Sequence, residues 1–93
     1  MVFLGLPDTW CVAKPGIPDS ALQEIIDFSC GILKDSSKIQ KHGSCFLPNT
    51  LISHASIAMN LYYKADGYYN CDFNGAGLVV VVTNPSFGDC VYI

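Results

Sequence analysis

The chain contains few charged residues, and none of them form a long run. Charged residues make up 14% of its 93 residues, and its formal net charge is -3. The only grouping of positive charge is the scattered set Lys34, Lys38 and Lys41. Because proteins bind phosphate backbones through clustered positive charge, nucleic acid is not an expected partner. The expected ligand is neutral and is held by shape, stacking and hydrogen bonds, as a neutral sugar is.

The chain also lacks a long hydrophobic run. Its longest candidate, residues 78–82, has the length of a strand and falls far short of the roughly 20 residues that span a bilayer. No transmembrane segment is therefore predicted. Residues 1–6 are apolar but have no basic residue before them and are shorter than the roughly 7–15 residue core of a secretory signal. We therefore expect either a mature or trimmed domain or a gene model that lost its first exon, and both alternatives stay open.

Residues for catalysis or metal binding are scarce. His42 and His54 are the only histidines, and His54 beside serines on a helix is more typical of a structural hydrogen bond than of a base. Asp66 and Asp72 could form a glycosidase pair, but a domain of this size offers little room for a polysaccharide-cleaving cleft. No C-x-x-C or H-x-x-x-H spacing occurs. The sequence therefore predicts no catalytic residue, no metal and no cofactor.

The chain does contain five cysteines, distributed over its whole length: Cys11, Cys30, Cys45, Cys71 and Cys90. A chain this short buries a limited core, so a distributed cysteine set indicates a disulfide framework formed in an oxidising compartment. Because the number is odd, one sulfur has no partner within the chain. We therefore expect an extracellular, disulfide-stabilised domain with one thiol left over.

The N-terminal third predicts an extended segment followed by a helix. Residues 8–18 are expected to be extended and rich in turns, because their prolines and Gly16 discourage a helix. A first helix then begins with a capping box of Ser20 and Gln23. Residues at helical spacing form its core face: Leu22, Ile25, Ile26, Ser29, Cys30 and Leu33.

A second helix is predicted after Pro48. Asn49 or Thr50 is expected to cap it, and Gly67 is expected to end it after about fifteen residues. One face is expected to lie in the core: Leu51, Ala55, Ala58, Met59 and Tyr62. The other side is expected to face solvent: Ser53, Ser56, Asn60, Tyr63 and Lys64.

The last third of the chain changes to the pattern of short strands. Residues 71–73, 78–83 and 90–92 are predicted as strands, separated by turn sequences rich in Asn, Gly and Pro. The predicted fold class is therefore α+β, with two main helices followed by a short antiparallel sheet. Residues 1–9 are predicted to be an N-terminal extension, and residues 10–93 to form the domain.

Aromatic residues are the strongest candidates for a binding surface. The chain has one Trp, five Tyr and five Phe, and an exposed ring can stack on the apolar face of a sugar. Four lie beside cysteines or on apolar faces and are expected in the core: Trp10, Tyr62, Phe73 and Tyr92. Three lie near the exposed end of the second helix: Tyr63, Tyr68 and Tyr69. For these three, sugar binding and ordinary surface exposure are both open.

Six motifs occur in one order along the chain: Trp10-Cys11-Val12-Ala13-Lys14-Pro15-Gly16, Cys45-Phe46-Leu47-Pro48-Asn49-Thr50, Ser53-His54-Ala55-Ser56, Asn60-Leu61-Tyr62-Tyr63, Cys71-Asp72-Phe73 and Asn84-Pro85-Ser86-Phe87-Gly88-Asp89-Cys90-Val91-Tyr92. Together they resemble the plant X8 domain, also classed as carbohydrate-binding module family 43. The resemblance extends over residues 10–92. It implies a non-catalytic module that binds β-1,3-glucan, the callose of plants. Relatives are implied to be linked to endo-β-1,3-glucanases or to be small, often lipid-anchored proteins.

The resemblance also implies a location and a site. The implied location is extracellular, in the cell wall or at plasmodesmata. We place the expected sugar-binding surface at four residues: Asn60, Tyr63, Tyr68 and Tyr69. The alternative is a disulfide-stabilised extracellular interaction protein that keeps the fold and has lost glucan binding.

A disulfide pattern follows from the resemblance as well. The family carries six cysteines, and its pairing, carried over by position, implies two long-range bridges: Cys11–Cys71 and Cys45–Cys90. The remaining family pair falls on Cys30 and Ser36, so one short local bridge is expected to be missing. Cys30 is then expected to be a free or half-buried thiol, with an intermolecular bridge as the alternative.

Overall fold

The computed structural model describes residues 9–33, 36–68, 70–81 and 84–92. Within these residues it contains two strands, two helices and two short 3-10 turns: β1 (Trp10–Ala13), α1 (Asp19–Leu33), Ser37–Ile39, α2 (Leu51–Ala65), Phe73–Gly75 and β2 (Gly77–Val80). None of the described helices has the length and apolar character needed to cross a membrane. The predicted α+β class, with two helices and a small antiparallel sheet, is confirmed.

The sheet is formed differently from the expectation. β1, which precedes both helices, pairs antiparallel with β2, and the register runs from Trp10 opposite Val80 to Ala13 opposite Gly77. The strand predicted at residues 71–73 is wrong, because this segment leads into a 3-10 turn. Residues 90–92 contribute only an isolated bridge between Phe87 and Cys90. Of the strand predicted at residues 78–83, Leu78 to Val80 belong to β2, Val81 follows outside the strand, and residues 82 and 83 lie outside the described residues.

The first helix begins earlier than predicted. Ser20 is already its second residue, and the N–H of Leu22 donates to the carbonyl of Pro18 at 3.1 Å. The side chain of Gln23 donates to Asp27 at 3.0 Å, one turn further along the helix, instead of reaching back to a cap. The predicted capping box is therefore wrong, although the helix itself is present.

Residues 1–8 of the predicted N-terminal extension lie outside the described residues.

The second helix has the predicted start and length. Thr50 caps it in an extended conformation, and its hydroxyl accepts from the N–H of Ser53 at 3.3 Å, as an N-cap does. The helix runs for 15 residues and ends before Gly67, whose φ of 72° is a conformation that glycine adopts without strain.

Three residues on the polar side of α2 are buried. Ser56, Asn60 and Tyr63 are 7%, 1% and 5% exposed, so the prediction of a solvated face is wrong at these three positions. Each of the three forms a hydrogen bond with β1 or with the residue before it. The N–H of Ala13 donates to Ser56 Oγ at 2.9 Å, and the N–H of Cys11 donates to Asn60 Oδ1 at 3.0 Å. The hydroxyls of Thr9 and Tyr63 share a hydrogen bond of 2.7 Å. We call this set the α2–β1 ladder.

The α2–β1 ladder is possible because the helix and the strand have similar repeat lengths. Four residues of an α-helix rise about 6 Å, and two residues of a strand advance about 6.6 Å. Alternate backbone N–H groups of an antiparallel strand point to opposite edges, so Cys11 and Ala13 direct theirs away from β2. Ser56 and Asn60, four residues apart, therefore match two successive outward N–H groups.

Two disulfides connect the elements. Cys11–Cys71 joins β1 to the turn that precedes β2, and Cys45–Cys90 joins the loop before α2 to the C-terminal segment. This is the pairing that the family resemblance implies. Cys30 is half-buried on α1 and forms no disulfide. The core divides into two groups of buried residues, one around Cys11 and Met59 and one around Trp10 and Cys45.

The free thiol gives a first prediction. Denatured, unreduced protein should contain one reactive thiol per chain, and Cys30→Ser should contain none while keeping the same unfolding transition. The measurement is a thiol titration in denaturant with intact mass as a check. A count of zero in the unmodified chain would instead indicate an intermolecular Cys30 bridge.

The α2–β1 ladder gives a second prediction. Asn60→Ala should lower the free energy of unfolding by roughly 1–3 kcal/mol, because it leaves the buried N–H of Cys11 without its acceptor. Chemical denaturation measures the change. Asn49→Ala, which truncates an exposed asparagine just before the Thr50 cap, is the matched control and should have a much smaller effect. Equal stabilities of the two variants would contradict the role of the ladder.

Tyr92 gives a third prediction. Burial raises the pKa of its phenol from 10.0 to about 12, and a hydrogen bond with Ser56 opposes this in part. An unfolded phenol loses its proton near pH 10, so the stability that Tyr92 contributes should fall as the pH rises from about 10 to about 12. Absorbance at alkaline pH should show a late tyrosine ionisation that Tyr92→Phe and denaturant both remove. A titration curve unchanged in shape by Tyr92→Phe would disprove it.

Candidate functional site

A groove of about 630 Å³ lies between α1, α2 and the turn that precedes β2. Its apolar lining includes Ile17, Ile25 and Ala76, together with three aromatic side chains. Four polar side chains also line it: Glu24, Asn70, Asp72 and Asn74. A mostly apolar groove with a few placed polar groups is the usual form of a binding site for a small or extended ligand.

The three aromatic rings of the groove form one continuous series. The centroids of Phe28 and Tyr62 are 5.4 Å apart with planes at 59°, and those of Tyr62 and Phe73 are 5.7 Å apart with planes at 68°. Such separations and tilts are favourable for aromatic pairs. Phe28 is 51% exposed, so an aromatic face is open to a ligand. Neighbouring rings are steeply inclined to one another and not coplanar.

Phe73 reaches the groove through an unusual backbone. Phe73 and Asn74 have φ values of 45° and 56°, in the left-handed region that costs a bulky residue about 1–2 kcal/mol. The carbonyl of Asp72 accepts from the N–H groups of Gly75 at 2.9 Å and Gly77 at 3.0 Å, which closes the turn. A Cβ atom at Gly77 would overlap the carbonyl oxygen of Cys71, so this close approach requires glycine.

The polar residues of the groove can bind hydroxyl groups. The carboxylates of Glu24 and Asp72 accept hydrogen bonds, and the amides of Asn70 and Asn74 both donate and accept. The Asn70 amide also donates to Asp66 at 2.9 Å. Asp66 does not line the groove, so the structure does not bring Asp66 and Asp72 together there as a carboxylate pair. In the described part of the chain, no three His, Cys, Asp or Glu side chains gather as metal ligands would.

The two histidines lie away from the groove lining. His54 on α2 donates a ring N–H to the carbonyl of Phe46 at 2.7 Å, which is the structural hydrogen bond that its sequence context predicts. His42 lies in the loop of residues 37–44 and has a φ of 74°. Neither is positioned beside the carboxylates of the groove.

The structure separates the residues that the sequence assigned to sugar binding. Asn60 and Tyr63 are buried in the α2–β1 ladder. Tyr68 is 51% exposed, with its ring 5.4 Å from that of Tyr63 and the Lys64 ammonium 4.4 Å from its centroid. Tyr69 lies outside the described residues. Of this set, Tyr68 is the residue that the structure shows exposed.

Sequence reasoning missed the groove because it placed Tyr62 and Phe73 in the core and left Phe28 unassigned. Both Tyr62 and Phe73 are only half-buried. Phe28 follows Ala21 and Glu24 at spacings of seven and four on α1, so the three share one face of the helix. That shared face was the available signal for the α1 wall of the groove.

The fold and the groove define a small, disulfide-stabilised module with an aromatic-lined site. Residues 9–78 match the family model of the X8 domain, and the chain therefore belongs to the X8 domain family. The resemblance found in the motifs is thereby confirmed.

Three similar proteins from plants show the range of the family. A glucan endo-1,3-beta-glucosidase of Triticum aestivum is 46% identical over 90% of this chain, which corresponds to 18% of that relative. The major pollen allergen Ole e 10 of Olea europaea is 41% identical over 90% of the chain and 70% of the allergen. Plasmodesmata callose-binding protein 2 of Arabidopsis thaliana is 34% identical over 90% of the chain and 44% of that protein. The chain thus spans less than a fifth of the wheat relative.

Proposed function

We propose that this protein binds β-1,3-glucan in the groove without cleaving it. The observation that carries the proposal is the series Phe28, Tyr62 and Phe73 in one groove with two carboxylates and two amides. Aromatic rings stack on the C–H faces of sugars, and carboxylates and amides hydrogen-bond to the hydroxyl groups. Both contacts suit a neutral polysaccharide.

The linkage in this proposal comes from the relatives. One similar protein is named as a glucan endo-1,3-beta-glucosidase and another for callose binding, so a β-1,3-linked glucan is the proposed ligand.

The relatives support binding rather than hydrolysis as the role of this module. The wheat relative is named for glucosidase activity, but this chain corresponds to only 18% of it. The Arabidopsis relative covered over 44% of its length is named for callose binding. A binding module can accompany a separate catalytic domain in the first case and act by itself in the second.

The proposed setting is outside the cell, in the cell wall or at plasmodesmata. Two disulfides support an oxidising compartment, and the name of the callose-binding relative supports plasmodesmata. Within this proposal Asn60 and Tyr63 act indirectly, by holding β1 against α2. Tyr68 and Tyr69 stay candidates for a second sugar contact outside the groove.

A fourth prediction tests the groove by retention on insoluble β-1,3-glucan, with cellulose as the control polysaccharide. Phe28→Ala should weaken binding about fivefold, the equivalent of roughly 1 kcal/mol for one aromatic contact. Its side chain is 51% exposed, so the fold should tolerate the change. Phe87→Ala, at a 39% exposed phenylalanine that does not line the groove, is the matched control and should bind normally.

Tyr68→Ala separates the groove from the surface that the sequence favoured. If Tyr68→Ala weakens binding and Phe28→Ala does not, the sugar site lies at Tyr68 and the groove is not the glucan site. If the unmodified protein is not retained on β-1,3-glucan at all, the function proposed here is wrong. The alternative of an interaction protein without glucan binding would then be favoured.

A further inference from the structure

The groove carries charge of one sign. The carboxylates of Glu24 and Asp72 line it, and within the described part of the chain no lysine, arginine or histidine belongs to its lining. Asp66 adds a third carboxylate close by, because it accepts a hydrogen bond from the groove residue Asn70 at 2.9 Å. A ligand in the groove therefore meets negative charge alone.

The lysines lie on other parts of the molecule. Lys38 and Lys41 line a separate cavity of about 350 Å³, formed by the loop of residues 37–44. The Lys64 ammonium lies 4.4 Å from the ring centroid of Tyr68, outside the groove. These lysines do not offset the carboxylates of the groove at close range.

Two further elements border the groove and leave its charge unchanged. Helix α1, from Asp19 to Leu33, contains three carboxylates and no basic residue. Lys14 donates its backbone N–H to the carbonyl of the groove residue Ala76 at 2.8 Å, but its side chain does not line the groove.

Both carboxylates of the groove are placed to contact a bound sugar. Glu24 and Phe28 are four residues apart on α1, so a carboxylate and an exposed ring lie side by side on one face of the helix. Asp72 closes its turn with its backbone carbonyl, and its carboxylate takes no part in capping that turn. A sugar stacked on the aromatic series is therefore within reach of negative charge from both walls.

We propose that Glu24 and Asp72 make the groove select glucans by charge. This inference rests on the proposed function and assigns a role to two residues of the same site. Clefts lined by one sign of charge concentrate the field inside them, so a carboxylate on the sugar is repelled. An ammonium group is attracted by the carboxylates and by the faces of the aromatic rings. On one β-1,3-glucan backbone, the order of affinity is cationic, then neutral, then acidic.

The test uses three forms of one soluble β-1,3-glucan: unmodified, carboxymethylated, and substituted to the same degree with trimethylammonium groups. Titration calorimetry gives a dissociation constant for each. Each charged form should differ from the neutral one by at least about fivefold, the effect of one pair of unit charges near contact in water. The differences should be large at about 10 mM salt and nearly absent at about 1 M, where charges are screened within roughly 3 Å.

The variants Glu24→Gln and Asp72→Asn remove one charge each and keep side chains that hydrogen-bond to hydroxyl groups. Each should lower the ratio of the two charged-ligand affinities at least about fivefold. The ratio separates charge selection from any loss of hydroxyl contacts, because such a loss affects all three ligands. Asp89→Asn changes the net charge equally at an exposed residue outside the groove lining, so it is the matched control and should keep the ratio.

The outcomes distinguish this inference from the proposed function. Equal affinity of the unmodified chain for all three ligands would overturn charge selection and leave glucan binding intact. A ratio that Asp89→Asn lowers as much as Glu24→Gln and Asp72→Asn do would overturn it as well, since net charge alone would then be responsible. Binding of the cationic form without the neutral one, if abolished by the two groove variants, would support charge selection and contradict the proposed function. Binding of none of the three would overturn both.

Discussion

The hydrogen bonds from β1 to buried side chains of α2 are the constraint on which the rest of the structure depends. The backbone N–H groups of Cys11 and Ala13 donate to the side chains of Asn60 and Ser56. On this edge of β1, helix α2 therefore accepts the hydrogen bonds that a third strand would accept in a larger sheet. These bonds fix the rotation of α2 about its axis. Successive helical residues differ by about 100°, so turning Tyr63 toward β1 turns Tyr62 toward α1 and the groove. The position of the aromatic series follows from the polar side of the same helix.

The disulfide Cys11–Cys71 extends this constraint to the other wall of the groove. Cys71 immediately precedes Asp72 and Phe73, and its partner Cys11 is the residue whose N–H is held by Asn60. The strained turn that directs Phe73 into the groove is thus attached to β1, which is attached to α2. On the chain-entropy account a bridge across 60 residues contributes roughly 4 kcal/mol, a large part of the stability of a chain this short. That stability offsets the cost of the left-handed turn.

The sequence predicted the helices and the fold class but not the burial of the polar side of α2. The Thr50 cap and the helical spacing of apolar residues are local signals, and they were sufficient to predict the start and the length of α2. A buried Asn60 depends on a strand 49 residues away, and helical periodicity contains no information about such a partner. β1 was missed because four residues are too few to show alternation beside the turn signals of residues 14–18. Tyr63, which the sequence assigned to sugar binding, is therefore buried, whereas its neighbour Tyr62 lines the groove.

The family resemblance implies a third disulfide between Cys30 and position 36, which is a serine in this chain. The groove keeps its structure without this disulfide. A bridge closing so short a loop contributes only about 2–3 kcal/mol on the chain-entropy account, and it would join the end of α1 to the next loop. Neither Cys30 nor Ser36 lines the groove, and neither takes part in the α2–β1 ladder. Phe28, two residues before Cys30, is held by its contact with Tyr62. The two long bridges connect the parts that form the groove, so a serine at position 36 leaves the aromatic series in place.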